Sequence, residues 1–259
     1  MIIAMTGKGG VGKTSLSAMI INWLVQRGET PVLAVDADSN ANLNEALGVS
    51  LNATVGGIRE DARAKAQEQM KGFSKQEFLE LRVQEALIER PGYDLIVMGR
   101  PEGRGCYCFA NNVLRDVLDR LAHNYRHVVI DSEAGLEHIA RRTLLSVDQL
   151  ILVSDCSIRG VRTTSRISAL ADEVQLEVKK RGLIINRAPN GILLPNLQRE
   201  AESTGLPLLA VIPLDENITA LDAAGIPFAT IPQDAPARMA VEAMLEQMFA
   251  THLEDVHVS

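Results

Sequence analysis

The chain contains 259 residues, of which 46% are hydrophobic, and its 33 acidic against 26 basic residues give a formal net charge of −7. A chain of this length and apolar content can bury a substantial core and lies at the upper end of single-domain size, so we expect one domain spanning residues 1–259. The acidic balance argues against a general nucleic-acid or anionic-membrane surface, because both require a basic patch that outweighs the acids.

Two further observations favour a cytoplasmic protein. No apolar run approaches the length needed to span a membrane. A glycine-rich motif begins at Gly7, which leaves no room before it for a secretory signal. The three cysteines are then expected to stay reduced, a setting in which cysteines more often bind metal or fill the core than form disulfides.

The first predicted elements are a strand over Ile2–Met5, a glycine-rich loop, and an amphipathic helix with apolar residues at helical spacing. The loop reads Gly-Lys-Gly-Gly-Val-Gly-Lys-Thr and fits the phosphate-loop pattern. In such a loop backbone N–H groups converge on phosphate oxygens, Lys13 reaches the β- and γ-phosphates, and the Thr14 hydroxyl binds Mg²⁺. A plain glycine-rich turn is the alternative, and the flanking strand and helix argue against it. The predicted nucleotide-binding residues of this segment are Gly7, Lys8, Gly9, Gly10, Val11, Gly12, Lys13, Thr14 and Ser15.

A second predicted strand, Val32–Val35, is followed by Asp36 and Asp38, two carboxylates separated by one residue. One of them can hold Mg²⁺ through water while the other orients or deprotonates the water that attacks the γ-phosphorus. An ordinary Asp/Ser/Asn turn explains the same residues equally well. The charged segment 57–90 is interpreted as inserted helices, with a solvated helical face as the alternative.

Beyond a third predicted strand, Asp94–Met98, a loop carries Cys106 and Cys108 just before a predicted helix. Two thiolates one residue apart can share a soft metal ion, but a tetrahedral zinc or nickel site needs more ligands than one such pair provides. Two unrelated loop cysteines are the alternative. We interpret Cys156 as a small buried residue and leave it out of the metal site.

Four later strands are predicted, over Val128–Ile130, Leu150–Val153, Gly182–Ile185 and Leu208–Val211. The first is followed by Asp131, an acid at the Walker-B position, and by Gly135, whose N–H can meet the γ-phosphate. The third is followed by Asn186 and Arg187, and Asn186 is predicted to read the adenine edge unless it is a plain loop residue. The alternation of strands and helices predicts an α/β fold with a mostly parallel, twisted central sheet flanked by helices. Ligands of such a sheet bind at the carboxyl ends of its strands.

Taken together, the loop, Asp36-x-Asp38, Asp131-x-x-Ala134-Gly135 and Asn186-Arg187 resemble the deviant Walker A ATPases, the class that contains MinD, ParA and the nitrogenase iron protein. The likeness extends over nearly the whole chain and implies a P-loop ATPase. In that class the extra lysine, here Lys8, contacts the nucleotide of the other subunit, which implies an ATP-dependent homodimer. The resemblance also favours Asp38 as the residue that activates water. The predicted catalytic residues are Lys8, Lys13 and Asp38. Ser39 stands where many members have proline.

The Cys106-Tyr107-Cys108 turn and the Glu137-His138 pair look like the carbon monoxide dehydrogenase maturation ATPases of the CooC type. That resemblance implies an ATP-hydrolysing nickel-insertion factor whose client is carbon monoxide dehydrogenase or acetyl-CoA synthase. It implies ATP or ADP with Mg²⁺ at each loop, and Ni²⁺ or Zn²⁺ at the dimer interface, where the two cysteine pairs would form a four-sulfur site. No nucleic-acid or membrane partner is expected.

Two rival functions stay open at this point. A MinD- or ParA-type positioning or partitioning switch would handle no metal and would carry a basic or amphipathic terminal anchor, against which the acidic terminal region argues. An iron–sulfur electron-transfer dimer like the nitrogenase iron protein would draw a cysteine from just past the second switch, and residues 135–142 contain none. A cluster bridged by Cys106 and Cys108 is still compatible with that second rival.

Overall fold

A computed structural model of the chain describes residues 1–38, 40–51, 53–57, 75–99, 119–132 and 146–258. The strands in these ranges are β1 Ile2–Gly7, β2 Val32–Asp36, β3 Ile88–Arg90, β4 Tyr93–Val97, β5 His127–Asp131, β6 Ser146–Asp155, β7 Glu177–Ala188 and β8 Leu208–Pro213. The α-helices with assigned bounds are α1 Lys13–Gln26, α2 Leu43–Ala46, α3 Lys75–Ala86, α4 Ile158–Glu173, α5 Pro195–Ser203, α6 Glu216–Ala224 and α7 Pro236–Val258. None of these helices combines the length and the apolar composition that crossing a membrane requires.

The described strands form one sheet in the order β3-β4-β2-β5-β1-β6-β7-β8. All neighbouring pairs are parallel except β3 with β4, which is antiparallel. This confirms the predicted α/β fold with a mostly parallel sheet. Strand β3 was not predicted and lies within the segment interpreted as inserted helices. It is a three-residue edge strand in which Glu89 and Arg90 are exposed, so it has no apolar run to reveal it.

Helices cover both faces of the sheet, and the central strands are therefore buried along their whole length. Every residue of β2 and β5 is buried, as expected for parallel strands that have no solvent-facing side. On one face α1 and α7 pack against the sheet through residues such as Ile20, Leu24 and Met244. On the other face α4 contributes Ile167 and Ala171 to a second apolar cluster.

Strand register brings the polar residues of four strands to the same edge of the sheet. Met5 of β1 and Asp36 of β2 both lie beside Asp131 of β5. On the other side of β1, Gly7 lies beside Val153 of β6. In a parallel sheet all carboxyl ends meet at one edge, so the residues that follow β1, β2, β5 and β7 converge there.

Candidate functional site

The glycine-rich loop begins at the carboxyl end of β1 with a residue that must be glycine. Gly7 has φ +153°, and a Cβ atom placed on it would lie 2.2 Å from the carbonyl oxygen of Val153 on the neighbouring strand. Any larger side chain would therefore force β1 and β6 apart. The close approach explains why the loop can turn away from the sheet directly at the strand end.

Helix α1 starts with its first N–H groups uncapped by a side chain. Its N-cap residue, Gly12, is left-handed at φ 92°, and no side chain bonds to the first turn. Lys13, only 8% exposed, donates from Nζ to the carbonyl oxygens of Gly7 at 3.3 Å and Lys8 at 3.1 Å. The start of α1 thus brings together uncapped N–H groups, the positive end of the helix dipole and the Lys13 ammonium group. Such an arrangement binds phosphate.

Asp131 lies beneath this loop and is almost completely buried. Burial raises its pKa to about 6, while its hydrogen bond with Thr14, the charge of Lys13 and its hydrogen bond with Ser17 oppose the rise. Ser17 Oγ donates to Asp131 Oδ1 at 3.3 Å. The Thr14 hydroxyl and a carboxylate are thereby in contact, and both are oxygen ligands of the kind that Mg²⁺ prefers.

Asp36 organises the loop that follows β2. Its Oδ1 accepts from the N–H of Asp38 at 3.0 Å and its Oδ2 from the N–H of Leu43 at 2.9 Å. Burial raises the pKa of Asp36 to about 7, and the nearby charge of Asp131 adds to the rise, while the two backbone hydrogen bonds oppose it. Asp38 is only half-buried, and its Oδ1 accepts from the N–H of Asn40 at 2.8 Å. The two carboxylates are thus dissimilar: Asp36 is buried and fixes the loop, whereas Asp38 faces the open side of the cleft. The predicted role of Asp36 at the bound nucleotide stays a prediction.

Asn186 and Arg187 join the end of β7 to the glycine-rich loop. Asn186 Nδ2 donates to the carbonyl oxygen of Val11 at 2.8 Å, and Arg187 Nη1 donates to that of Gly10 at 3.0 Å. The Asn186 amide is therefore already engaged in fixing the loop. Its predicted contact with adenine stays a prediction.

A cleft of about 500 Å³ opens above these groups. Its walls are formed by four parts of the chain that are distant in the sequence: the glycine-rich loop, the segment after β2, Arg187 near the end of β7, and the segment from α6 to Phe228. The lining residues are Gly9, Gly10, Gly12, Lys13, Thr14, Ser15, Asp38, Asn40, Asn42, Glu45, Ala46, Arg187, Leu221, Asp222, Gly225, Ile226 and Phe228. Its volume is within the range of small-molecule sites.

Comparison with known proteins agrees with this geometry. Residues 2–228 match the family described as the CobQ/CobB/MinD/ParA nucleotide binding domain. The chain belongs to this family. It is an ATP-binding, ATP-hydrolysing NTPase of the MinD/ParA type, as predicted.

Three relatives of this CobQ/CobB/MinD/ParA family member are informative. An uncharacterized ATP-binding protein of Methanocaldococcus jannaschii is 41% identical over 252 residues, covering 96% of this chain and 98% of that protein. The carbon monoxide dehydrogenase accessory protein CooC of Rhodospirillum rubrum is 30% identical over 237 residues, covering 87% and 88%. The structure of the septum site-determining protein MinD with Mg-ADP from Pyrococcus horikoshii has a TM-score of 0.70 at 24% identity and covers 95% of each chain, which shows the shared fold.

The residues of the cleft fit ATP and Mg²⁺, the ligands of the family. The glycines leave space for phosphate, since a Cβ atom on Gly9 or Gly10 would meet nothing within 4 Å. Uncapped N–H groups and Lys13 supply positive charge, and Thr14 with Asp131 supplies oxygen ligands for the metal. The structure thus assembles the predicted loop residues with Asp36, Asp38, Asp131 and Arg187 at one edge.

Some residues of this edge were not predicted. Ser17 bonds to Asp131, and its position three residues after Thr14 on the same helix face is a signal that could have found it. The wall formed by Ile226 and Phe228 follows α6, more than two hundred residues beyond the loop, and nothing local in the sequence marks it. Asn42 and Glu45 line the cleft from the far end of the loop that Asp36 holds.

Other predicted residues stay untested. Gly135, Cys106, Cys108, Ser39 and His138 lie outside the described residues. Within the ranges that are described, no three His, Cys, Asp or Glu side chains come together as a metal site. Cys156 is only partly buried; burial raises the pKa of its thiol, and the charge of Asp155 adds to the rise.

Proposed function

We propose that this ATPase is a dimeric accessory factor that couples ATP hydrolysis to nickel insertion into carbon monoxide dehydrogenase or the related acetyl-CoA synthase. The observation that carries the proposal is the 30% identity to a carbon monoxide dehydrogenase accessory protein over 87% of this chain. The Cys106-Tyr107-Cys108 turn supports it, because a soft metal needs thiolate ligands and this sequence offers one closely spaced pair. The cytoplasm is the proposed compartment.

In this proposal the carboxyl edge of the sheet performs the hydrolysis. The N–H groups of the loop and Lys13 bind the phosphates, while Thr14 and Asp131 hold Mg²⁺. When bound, Mg²⁺ neutralises charge on the phosphate oxygens. Asp38 orients the attacking water, a role that suits its position on the open side of the cleft. Lys8 is exposed on the loop and in the proposed dimer reaches the nucleotide of the partner subunit.

Asp36 gives the site a way to transmit the state of the nucleotide. Its carboxylate bonds to the N–H groups of both Asp38 and Leu43, the two ends of one loop, and it lies beside Asp131 in the sheet. A change at Asp131 therefore alters the charge next to the group that fixes this loop. Gly135, which follows Asp131 by four residues, is the proposed γ-phosphate sensor. Order or disorder of such segments on phosphate loss is a common switching device.

Nickel enters the proposal as cargo. Cys106 and Cys108 of each subunit, brought together across a two-fold axis, would supply four thiolates to one Ni²⁺ or Zn²⁺ ion. ATP-driven closure of the dimer and its relaxation after hydrolysis would then alter the geometry of those thiolates. Release of the ion to the client enzyme follows from that change.

The decisive experiment measures nickel content and oligomeric mass together, with no nucleotide, with ADP and with ATP. The wild type is compared with Cys106→Ala/Cys108→Ala, and Cys156→Ala is the matched control because it removes the remaining cysteine. We expect about one nickel ion per dimer in the wild type and the control, since four thiolates complete one tetrahedral site. The ion should be lost in the double variant and should depend on nucleotide.

Two results would contradict the proposal. Nucleotide-driven dimerisation with no metal in any variant would point to a positioning or partitioning switch instead. Retention of nickel in Cys106→Ala/Cys108→Ala would show that the ion is held elsewhere. A client test then follows: the wild type with ATP should raise the activity of nickel-free carbon monoxide dehydrogenase supplied with Ni²⁺, whereas the double variant should not.

A further inference from the structure

Helix α4 carries a row of exposed arginines that the ATPase chemistry does not use. Arg159, Arg162 and Arg166 are all exposed and are spaced by three and then four residues. Residues at these spacings lie next to each other on one side of a helix. Arg159 and Arg166 are therefore seven residue steps apart, a length of roughly 10 Å at 1.5 Å per residue.

The placement of these charges is not the one that stabilises a helix. The helix dipole favours acids in the first turn, at its positive end, and bases in the last turn, at its negative end. Helix α4 has no acid in its first turn and no base in its last turn. Arg159 lies in the first turn, whereas Asp172 and Glu173 lie in the last one. Helix stability therefore does not account for the arginine row.

The middle arginine already shows which group the row binds. Arg162 holds the carboxylate of Glu200 on α5 with two parallel hydrogen bonds, from Nε at 2.8 Å and from Nη2 at 3.0 Å. Two-pronged binding of this kind is specific for carboxylates and phosphates. In the described ranges of the chain, neither Arg159 nor Arg166 makes an ion pair. One arginine on each side of Arg162 is thus available to a carboxylate from another molecule.

The row also lies beside the ATPase site. Helix α4 begins directly after β6, whose Val153 is paired with Gly7 of the glycine-rich loop and whose Asp155 is paired with Asn186. The start of the helix is therefore at the same edge of the sheet as the cleft. A molecule bound to Arg159 would touch the edge that contains the nucleotide-binding groups.

We propose that Arg159, Arg162 and Arg166 form a docking surface for an acidic segment of a partner protein. The three arginines are spaced about one helical turn apart. Every second side chain of an acidic strand, or every third or fourth side chain of an acidic helix, has a comparable spacing. Nucleic acid fits less well, because its affinity depends on the number of phosphates that basic side chains neutralise, this row offers three arginines, and the chain's net charge of −7 repels a long polyanion. The surface does not depend on nickel or on the identity of the proposed client.

The test uses a short fluorescein-labelled oligoglutamate peptide and fluorescence anisotropy. Arg159→Gln/Arg166→Gln removes the two unpaired arginines and leaves the Arg162–Glu200 pair intact. Arg90→Gln/Arg126→Gln is the control for total charge: it also removes two exposed arginines, of which Arg126 is paired with Glu29, but at the opposite edge of the sheet. We expect the peptide to bind roughly tenfold more weakly to the first variant, since charge-assisted hydrogen bonds are lost, and unchanged to the control. Binding to the wild type should weaken between about 50 and 200 mM salt.

Three results would overturn the proposal. Equal peptide affinity in the wild type and both variants would show that the arginine row does not bind the acidic peptide. Displacement of the peptide by saturating Mg-ADP would show that it occupies the phosphate loop. Tighter binding of a single-stranded DNA of equal charge, lost in the same variant, would make the row a nucleic-acid surface. Thermal unfolding adds a separate check, because Arg159→Gln/Arg166→Gln should keep or raise the melting temperature, whereas arginines that stabilise the fold would lower it on removal.

Discussion

The two ends of the central sheet each border a cavity, and the two cavities are lined by different kinds of residue. At the carboxyl ends of the strands the cleft of about 500 Å³ is lined by glycines, Lys13, Thr14 and Asp38. At the amino ends a groove of about 660 Å³ combines apolar side chains, from Leu206 to Leu209 and Met244, with charged ones such as Lys180 and Arg181. The larger of the two is therefore not the one that carries the ATPase residues.

This difference follows from the direction of the chain in a parallel sheet. Each helix that follows a parallel strand begins at the carboxyl edge, so that edge receives the positive ends of helix dipoles and, at α1, N–H groups without a side-chain cap. The amino edge receives the ends of helices and the starts of strands, where packing of α7 against β8 holds the fold together. Substitutions at the carboxyl edge should therefore change catalysis, and substitutions at the amino edge should change stability.

The largest effect is expected for Lys13→Ala. Lys13 provides the buried ammonium group of the loop, and its loss removes charge stabilisation where the transferred phosphoryl group becomes more negative. We expect the rate of ATP hydrolysis to fall by roughly 100- to 1000-fold, which corresponds to about 3–4 kcal/mol. A phosphate-release assay under saturating Mg-ATP measures it. Lys179→Gln is the control, because it removes an exposed lysine paired with Asp148 at the amino edge; a similar fall there would erase the contrast between the two ends.

A second prediction concerns stability at the amino edge. Met244 of α7 is 3% exposed and belongs to the main apolar core. Met244→Ala should lower the free energy of unfolding by about 3 kcal/mol through lost packing and a residual cavity, with the KM for ATP unchanged. Met239→Ala, on the same helix at a 57% exposed position, should change it by less than about 0.5 kcal/mol. Urea unfolding gives both values; an altered KM in Met244→Ala would mean that the two edges are coupled.

Much of the fold is predictable from the sequence because each buried parallel strand corresponds to a short run of apolar residues. The run Leu150–Val153 reveals β6, although the strand itself extends from Ser146 to Asp155. Its ends were missed because exposed or polar strand residues have no apolar signature. The edge strand β3 was missed for the same reason, since only Ile88 of its three residues is buried.

The residues of the candidate site also fall into two groups, those that the sequence predicts and those that it does not. Groups fixed by one local motif, such as Lys13 and Thr14, are predictable because their spacing alone sets the geometry. Groups that meet only in three dimensions are not. The contact of Asn186 with adenine stays a prediction, and what no local spacing revealed is the bond from its side chain to the Val11 carbonyl across 175 residues of sequence. The Phe228 wall of the cleft depends in the same way on how α6 packs, which no spacing rule encodes.

A third prediction uses the buried carboxylates of the carboxyl edge. The pKa of Asp36 is raised to about 7 from 3.8, chiefly by burial. A raised pKa means that the folded state binds more protons than the unfolded state between these two values, so the free energy of unfolding falls as pH rises through that window. Relative to Asp36→Asn, the wild type should lose about 2 kcal/mol between pH 5 and pH 8. Comparing the two proteins cancels the opposite contribution of His127, whose pKa is lowered by burial.

Urea unfolding in the presence of EDTA and without nucleotide measures this dependence. The Asn variant loses one hydrogen bond, because its amide cannot accept from both Asp38 and Leu43 N–H groups. That loss lowers its stability at every pH and does not alter the slope. Parallel pH profiles for the two proteins would show that Asp36 is ionised throughout and that burial is not its dominant environment.

The smallest effect is expected from a pair of glycines that differ only in what surrounds them. Gly12 and Gly28 are both left-handed, at φ 92° and 71°. A Cβ atom on Gly12 would lie 2.5 Å from Asn186 Nδ2, whereas one on Gly28 would meet nothing within 4 Å. Alanine at either position introduces the same kind of backbone strain, about 1 kcal/mol. Gly12→Ala should add the loss of the Asn186 bond to the Val11 carbonyl, about 1 kcal/mol more.

The two substitutions separate loop geometry from nucleotide binding at the carboxyl edge. Gly28→Ala should leave the Kd for ATP unchanged while lowering stability slightly. Gly12→Ala should weaken ATP binding by roughly fivefold, because the displaced Asn186 no longer fixes the loop whose N–H groups bind phosphate. Isothermal titration with Mg-ATP measures both Kd values. Equal Kd values in the two variants would mean that the loop keeps its shape without Asn186, and that the link from β7 to the glycine-rich loop stabilises the fold and not the site.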